Sequence, residues 1–275
     1  MDATTLAQEL IELHEGAREV PPFSQRYPGL TPESGYAAAR KLHAHRLAQG
    51  WKPLGRKIGF TNRTLWQRYG VYEPMWGTVY DRTAIFSREN RATVPLTGLA
   101  QPRIEPEICF KLKSPLPVAA PETLSRPRDP EALLGCIEWM AHSVEIVQCH
   151  HPEWKVTIAD CTADNGLHGR LIVGSVVEVG RISGLAASLP FLKVSLRKGN
   201  ETKDQGVGSN VLGSPLLALG FLLEILSRQK DSPPLLGGEI VTTGTLTDAH
   251  PVKPGESWST FFEDFSLQGL SLDFE

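Results

Sequence analysis

The chain of 275 residues has no apolar run approaching the ~18 residues that a membrane-spanning helix needs, so no membrane partner is expected. It also has no excess of basic charge. Its 28 Lys and Arg stand against 31 Asp and Glu, a formal charge of -3, which argues against a general nucleic-acid binder. Cysteine is scarce: Cys109, Cys136, Cys149 and Cys161 show no CxxC spacing, so a disulfide framework is not expected and a reducing cytoplasm is the default compartment. The first residues, MDATTLAQELIELHEGAR, are acidic and amphipathic and lack the basic start and apolar run of a signal peptide. Missing too are a GxSxG elbow, a GxGxxG fingerprint and a GxxxxGKS phosphate loop. There is no internal repeat and no low-complexity tract.

What is present points to short strands and turns, because Gly (25) and Pro (21) are both somewhat high. Residues 3–18 and 32–48 read as helices, the second with Thr31 as N-cap, Pro32 at its first position and Gly50 closing it. After Trp51 the character changes. GRKIGF (55–60) reads as a short strand, TNRTLWQRYG as a capped turn ending at Gly70, and residues 75–113 as short strands. A Pro-rich, exposed loop is expected over 114–130, then a helix capped by Asp129-Pro130 and running to about His142. SVEIVQ, HGRLIVGSVVEV, GGEIVTTGTL and FSLQGLSLDFE read as strands, Gly199-Asn200 as a hairpin turn, and 214–229 as the most hydrophobic helix. The pattern predicts an α+β chain: a helical part over 1–50, then a strand-rich domain over 51–275.

Within PRIEPEICF (102–110), Ile104, Ile108 and Phe110 alternate as on a half-buried strand. Glu105 and Glu107 then stand side by side, roughly 6.5–7 Å apart along the strand. They repel each other unless a positive group lies between them; a solvated face is the plain reading and a divalent cation the sharper one. Glu145, flanked by Val144 and Ile146, is costly to bury unless paired or metal-bound. All-oxygen ligation by such carboxylates suits Mg²⁺ or Mn²⁺ rather than Zn²⁺. A competing set, Cys149, His150 and His151 with Cys136 or Cys161, lacks the paired spacing of zinc sites. Lys57 in GRKIGF is either a snorkelling surface lysine or a buried charge partner of the carboxylates. ADCTADNGLHG (159–169), with Asp164 and Asn165, and TGTLTDAHPV (243–252), with Thr245 and Leu246, are turn-rich segments that can also line a small anionic site. His142, His168 and His250 read as structural.

Taken in order and spacing, GRKIGFTNRTLWQRYGVYEPMWGTVYD, QPRIEPEICFKL, IEWMAHSVEIVQ, ADCTADNGLHG and GGEIVTTGTL resemble the 2-keto-4-pentenoate hydratase family of the fumarylacetoacetate hydrolase superfamily. The resemblance spans residues 4 to 275. It implies a mixed β-sandwich/roll core preceded by N-terminal helices, and Mg²⁺ or Mn²⁺ held by Glu105, Glu107 and Glu145. The family lysine falls on Lys57 and a further acidic position on Asp81, which the resemblance makes a catalytic candidate. It also implies a small 2-oxo acid substrate and a homo-oligomer. One departure is plain: relatives often carry P-D-[FY]-G where this chain has Pro74-Met75-Trp76-Gly77, replacing a carboxylate by a thioether that cannot titrate. Arg82 likewise stands where some relatives carry a second Asp. Met75 and Trp76 would narrow a wall of the site and make it apolar. The leading expectation is a hydratase (lyase) acting on a 2-hydroxy-2,4-dienoate or 2-oxo-enoate. Decarboxylation of a 2-oxo-3-enedioate and a non-catalytic partner subunit are the alternatives. Hydrolysis is marked down, because no histidine lies between His45 and His142 to build a lid dyad.

Overall fold

The computed structural model describes residues 3–116, 129–229, 231–263 and 265–275. Thirteen strands are found among them: β1 (Pro53–Gly59), β2 (Met75–Tyr80), β3 (Ala84–Phe86), β4 (Arg91–Val94), β5 (Arg103–Leu112), β6 (Ile137–Val147), β7 (His168–Glu178), β8 (Lys193–Lys198), β9 (Glu201–Val207), β10 (Ile240–Thr242), β11 (His250–Pro251), β12 (Ser257–Glu263) and β13 (Ser271–Phe274). The helices are α1 (Ala3–Gly16), α2 (Phe23–Arg26), α3 (Pro32–Ala48), α4 (Trp66–Tyr69), α5 (Pro130–Leu134), α6 (Ile158–Ala163), α7 (Leu185–Ser188) and α8 (Pro215–Arg228).

One sheet runs β2-β1-β10-β5-β6-β7-β3, with β11 also paired to β5; the other runs β4-β13-β12-β8-β9. Ile104, Val144, Ile146 and Ile172 on one face of the first sheet pack with Leu196, Trp258, Leu272 and Phe274 of the second, making the sandwich. Farther along that face, Ile58, Ile108, Phe110, Met140 and Val241 pack under Leu216, Leu219 and Leu222 of α8. The opposite face closes on itself. Val79 of β2 shares a cluster with Leu171 and Val173 of β7, five strands away in the sheet order, so the sheet is curled into a roll. The α+β sandwich/roll expected from the sequence is the fold observed.

The N-terminal helices sit against α6, with Leu6, Leu10, Leu13, Phe23 and Ala38 packed on Ala163. The leucines recur at the spacing that puts one face of α1 against a neighbour. Thr31 caps α3 in a reciprocal pair with Ser34. The helix expected from Asp129 to about His142 stops at Leu134. Beyond Gly135, IEWMAHSVEIV alternates with period two and pairs along the whole of β5 instead. Strand β12 was not foreseen, and α6 occupies a stretch read as loop. Most of the expected Pro-rich loop, 117–128, lies outside the described residues.

Candidate active site

The register of four strands assembles the site. Glu105 of β5 is directly opposite Glu145 of β6, and Glu107 is opposite Ser143, so all point into the roll. On the other side of β5, Thr242 pairs with Cys109 and, across β10, with Lys57 of β1. Residues opposite one another share a face, so Lys57, Thr242 and the three glutamates converge. One carboxylate oxygen from each of Glu105, Glu107 and Glu145 lies within 4.8 Å of the others. Lys57 is 2% exposed and therefore not a snorkelling lysine. Its Nζ lies 3.1 Å from Glu145 Oε2 and donates to the Gly166 carbonyl at 3.0 Å.

The surrounding bonds orient each carboxylate. His168 Nδ1 donates to Glu145 Oε1 at 2.8 Å, while its Nε2 meets the Thr83 hydroxyl at 2.8 Å. Burial keeps His168 neutral, well below the usual histidine value, which suits one donating and one accepting nitrogen. Glu107 Oε2 accepts from the Thr242 hydroxyl and from the Gly244 N–H at 3.0 Å. Gly244 has φ +96, and a Cβ there would lie 1.9 Å from Thr61 Oγ1, so only glycine brings that N–H to the carboxylate. Glu107 Oε1 is buried with no hydrogen bond, and Glu145 Oε2 has the Lys57 ammonium as its partner.

One ammonium faces three carboxylates here. Burial and mutual repulsion push Glu105 and Glu107 up to about 8. Burial alone would depress Lys57, but the carboxylates outweigh it and hold the ammonium above its ordinary value. An orphaned buried oxygen on Glu107, in a set of all-oxygen ligands that give up their protons when a cation binds, fits a hard divalent cation. Above the cluster opens a cleft of about 750 Å³, counting the part open to solvent. Lys57, Glu105, Gly244 and Thr245 line its polar end, and Phe60, Met75, Val147, Trp154 and Leu167 form an apolar wall.

Other residues singled out in the sequence lie elsewhere. Asp81 is exposed at a turn, where its carboxylate accepts from the Lys52 N–H at 2.9 Å. Strand alternation turns Trp76 away from Met75 and out of the cleft, where it stacks on Tyr36 and donates to Gln229. Leu246 belongs to the core beneath α8. Asp164 is buried between His14 and His150, and the Asn165 amide clamps the backbone of Thr78. His150 thus meets a carboxylate rather than the cysteines of the proposed zinc set. Sequence reasoning passed over Arg103, which lines the cleft with its guanidinium 4.4 Å from the Trp154 ring centre. It lies two residues before Glu105 on the same strand face, so the alternation that exposed the glutamates also pointed to it.

The chain matches no protein-family model. It is 29% identical over 275 residues to the 2-keto-4-pentenoate hydratase of Paraburkholderia xenovorans (strain LB400), covering 96% of both chains. To the 2-hydroxyhexa-2,4-dienoate hydratase of Comamonas testosteroni it is 30% identical, covering 94% of this chain and 93% of that one. The chain belongs to the 2-keto-4-pentenoate hydratase family. It is therefore an enzyme of hydratase type. The fold agrees: a 4-oxalocrotonate decarboxylase from Pseudomonas putida G7, complexed with magnesium and adipate, superposes with a TM-score of 0.87 at 24% identity, covering 99% of this chain and 97% of that one.

Proposed function

We propose that this member of the family adds water to a 2-hydroxy-2,4-dienoate, by way of its 2-oxo-enoate form, and depends on Mg²⁺ or Mn²⁺ held by Glu105, Glu107 and Glu145. The observation that carries the reading is the convergence of these carboxylates, with the buried Glu107 Oε1 unpartnered, beneath an apolar cleft. A divalent cation bound there supplies Lewis-acid stabilisation of negative charge developing on the 2-oxygen of a 2-oxo acid. Lys57 spends two of its three N–H groups on Glu145 and Gly166, leaving the third for a substrate oxygen or an ordered water. As an ammonium it stabilises an oxyanion and returns a proton to carbon. Phe60, Met75 and Trp154 pack along the unsaturated chain and keep bulk water from it. The Gly244 N–H fixes Glu107 in place.

A second reading has a specific observation behind it. Arg103 puts a guanidinium in the cleft, where it suits a second carboxylate, and the superposing decarboxylase holds a dicarboxylate, adipate. On that reading the substrate is a 2-oxo-3-enedioate that loses carbon dioxide. Product mass separates the two. With Mg²⁺ and a 2-hydroxy-2,4-dienoate, hydration adds one water and stops with chelator; loss of carbon dioxide from the enedioate without hydration of the dienoate would favour decarboxylation. The proposal includes self-association as a homo-oligomer, since Phe191 and Phe261 are 76% and 59% exposed. Sedimentation velocity tests that part, and a monomer at micromolar concentration would reject it.

A further inference from the structure

Between the N-terminal helices and the cleft lies a cluster of ionisable groups that the proposed reaction does not use. Asp164, fully buried, sits between two imidazoles: His14 Nε2 of α1 is 2.8 Å from Oδ1, and His150 Nδ1, just beyond β6, donates to Oδ2 at 2.8 Å. Arg46 of α3 completes the group, its Nη2 3.0 Å from His14 Nδ1. The guanidinium can only donate, so His14 accepts at Nδ1 and carries its proton on Nε2, the nitrogen that stands against the aspartate. The Arg46 guanidinium against His14 opposes a metal ion here, although one donor atom from each of His14, His150 and Asp164 lies within 4.8 Å of the others.

The three residues after Asp164 give the cluster its purpose. Asn165, Gly166 and Leu167 follow one another with φ of 48, 65 and 62, all left-handed, a conformation that leucine resists. Such a turn persists only where its surroundings over-determine it. Asp164 anchors one end, and its carbonyl accepts the Leu167 N–H at 2.8 Å. The Asn165 amide bonds the Thr78 N–H and carbonyl, and Gly77 admits the turn because a Cβ there would lie 2.1 Å from the Asn165 carbonyl oxygen. The product of this scaffold is the Gly166 carbonyl that receives Lys57, with Gly166 and Leu167 forming part of the cleft.

We propose that His14, Asp164 and His150 are positioning residues: they hold the 165–167 turn in its left-handed form and thereby set Lys57 for reaction. The N-terminal helices are then part of the catalytic apparatus, though none of their side chains lines the cleft. The role in reaction rests on the function proposed above; the role in holding the turn does not. Burial agrees with the arrangement, since it keeps His14 neutral, at about 4, while the histidines hold Asp164 ionised.

The test compares full-length His14→Leu and His14→Gln, the glutamine keeping an N–H donor for Asp164. Hydrogen exchange is followed in peptides covering 160–170 and in the β8–β9 hairpin, and kcat, KM and Mg²⁺ affinity are measured alongside. His14→Leu is expected to speed exchange in 160–170 while leaving the hairpin protected, and to lower kcat by about 100-fold, the scale of a small misplacement. KM and Mg²⁺ affinity stay within about twofold, and His14→Gln restores both exchange and kcat. Unchanged exchange in 160–170, equal loosening of the hairpin, or faster exchange with unchanged kcat would each overturn the proposal. If the wild-type chain does not turn over dienoates, the function reading fails, while exchange still decides whether the cluster holds the turn.

Discussion

Lys57 is where burial and charge are most finely opposed. Its ammonium survives in the interior because three carboxylates surround it, which makes it a donor rather than a base at neutral pH. Lys57→Met is expected to lower kcat by about 10²–10⁴-fold while Mg²⁺ affinity is kept or improved, because the variant removes a cation from the cluster. Steady-state kinetics beside calorimetry checks this; lost Mg²⁺ binding with intact kcat would invert the assignment. His168 acts through Glu145, so His168→Ala is expected to weaken Mg²⁺ binding by about 10–100-fold. Asp81 touches the Lys52 backbone and nothing in the cleft, so Asp81→Asn should leave kcat/KM within about twofold.

At the level of elements, the site is a consequence of register. A one-residue slip of β6 against β5 would send Glu145 to the other face, among Ile104, Ile146 and Ile172. Gly244→Ala drives a Cβ into Thr61 and breaks the N–H contact to Glu107. It is expected to lower thermal stability and to reduce Mg²⁺ affinity together; a variant with wild-type melting and binding would show that the backbone can yield. Much of this was legible beforehand, because alternation in PRIEPEICF and SVEIVQ carries a face on its own. The pairing of β5 with β6 was not, since register depends on residues far apart in sequence. The over-extended helix after Pro130 failed for a related reason: IEWMAHSVEIV holds good helix formers, and only its long partner strand decides the matter. Trp76 was misplaced because a resemblance picks out a segment, whereas alternation within it decides which side chain faces the cleft.

For the whole molecule, the cluster ties stability to pH. Without a cation, Glu105 and Glu107 are held up to about 8, chiefly by burial, so the folded chain keeps protons that the unfolded chain gives up above 4.5. Their contribution is complete below pH 4.5 and is lost as pH rises through about 8. Buried His14 and His142, both at about 4, work in the opposite sense: as pH falls from 6.5 the unfolded chain takes up protons that the folded chain refuses. The metal-free melting temperature is therefore expected to fall between pH 6.5 and 8.5, and the rise produced by Mg²⁺ to grow across that range. A rise independent of pH would separate the cation from these carboxylates. Among the described residues no helix is long and apolar enough to cross a membrane, and all four cysteines are free.

The most direct measurement is calorimetric titration of Mg²⁺ into the wild-type chain and into Glu107→Gln, which keeps an acceptor for Thr242 and Gly244 but removes a charge. The account predicts one site per chain in the wild type and at least about 100-fold weaker binding in the variant, with both chains equally folded. Equal Mg²⁺ affinity in the two would contradict the central claim that these carboxylates hold the cation.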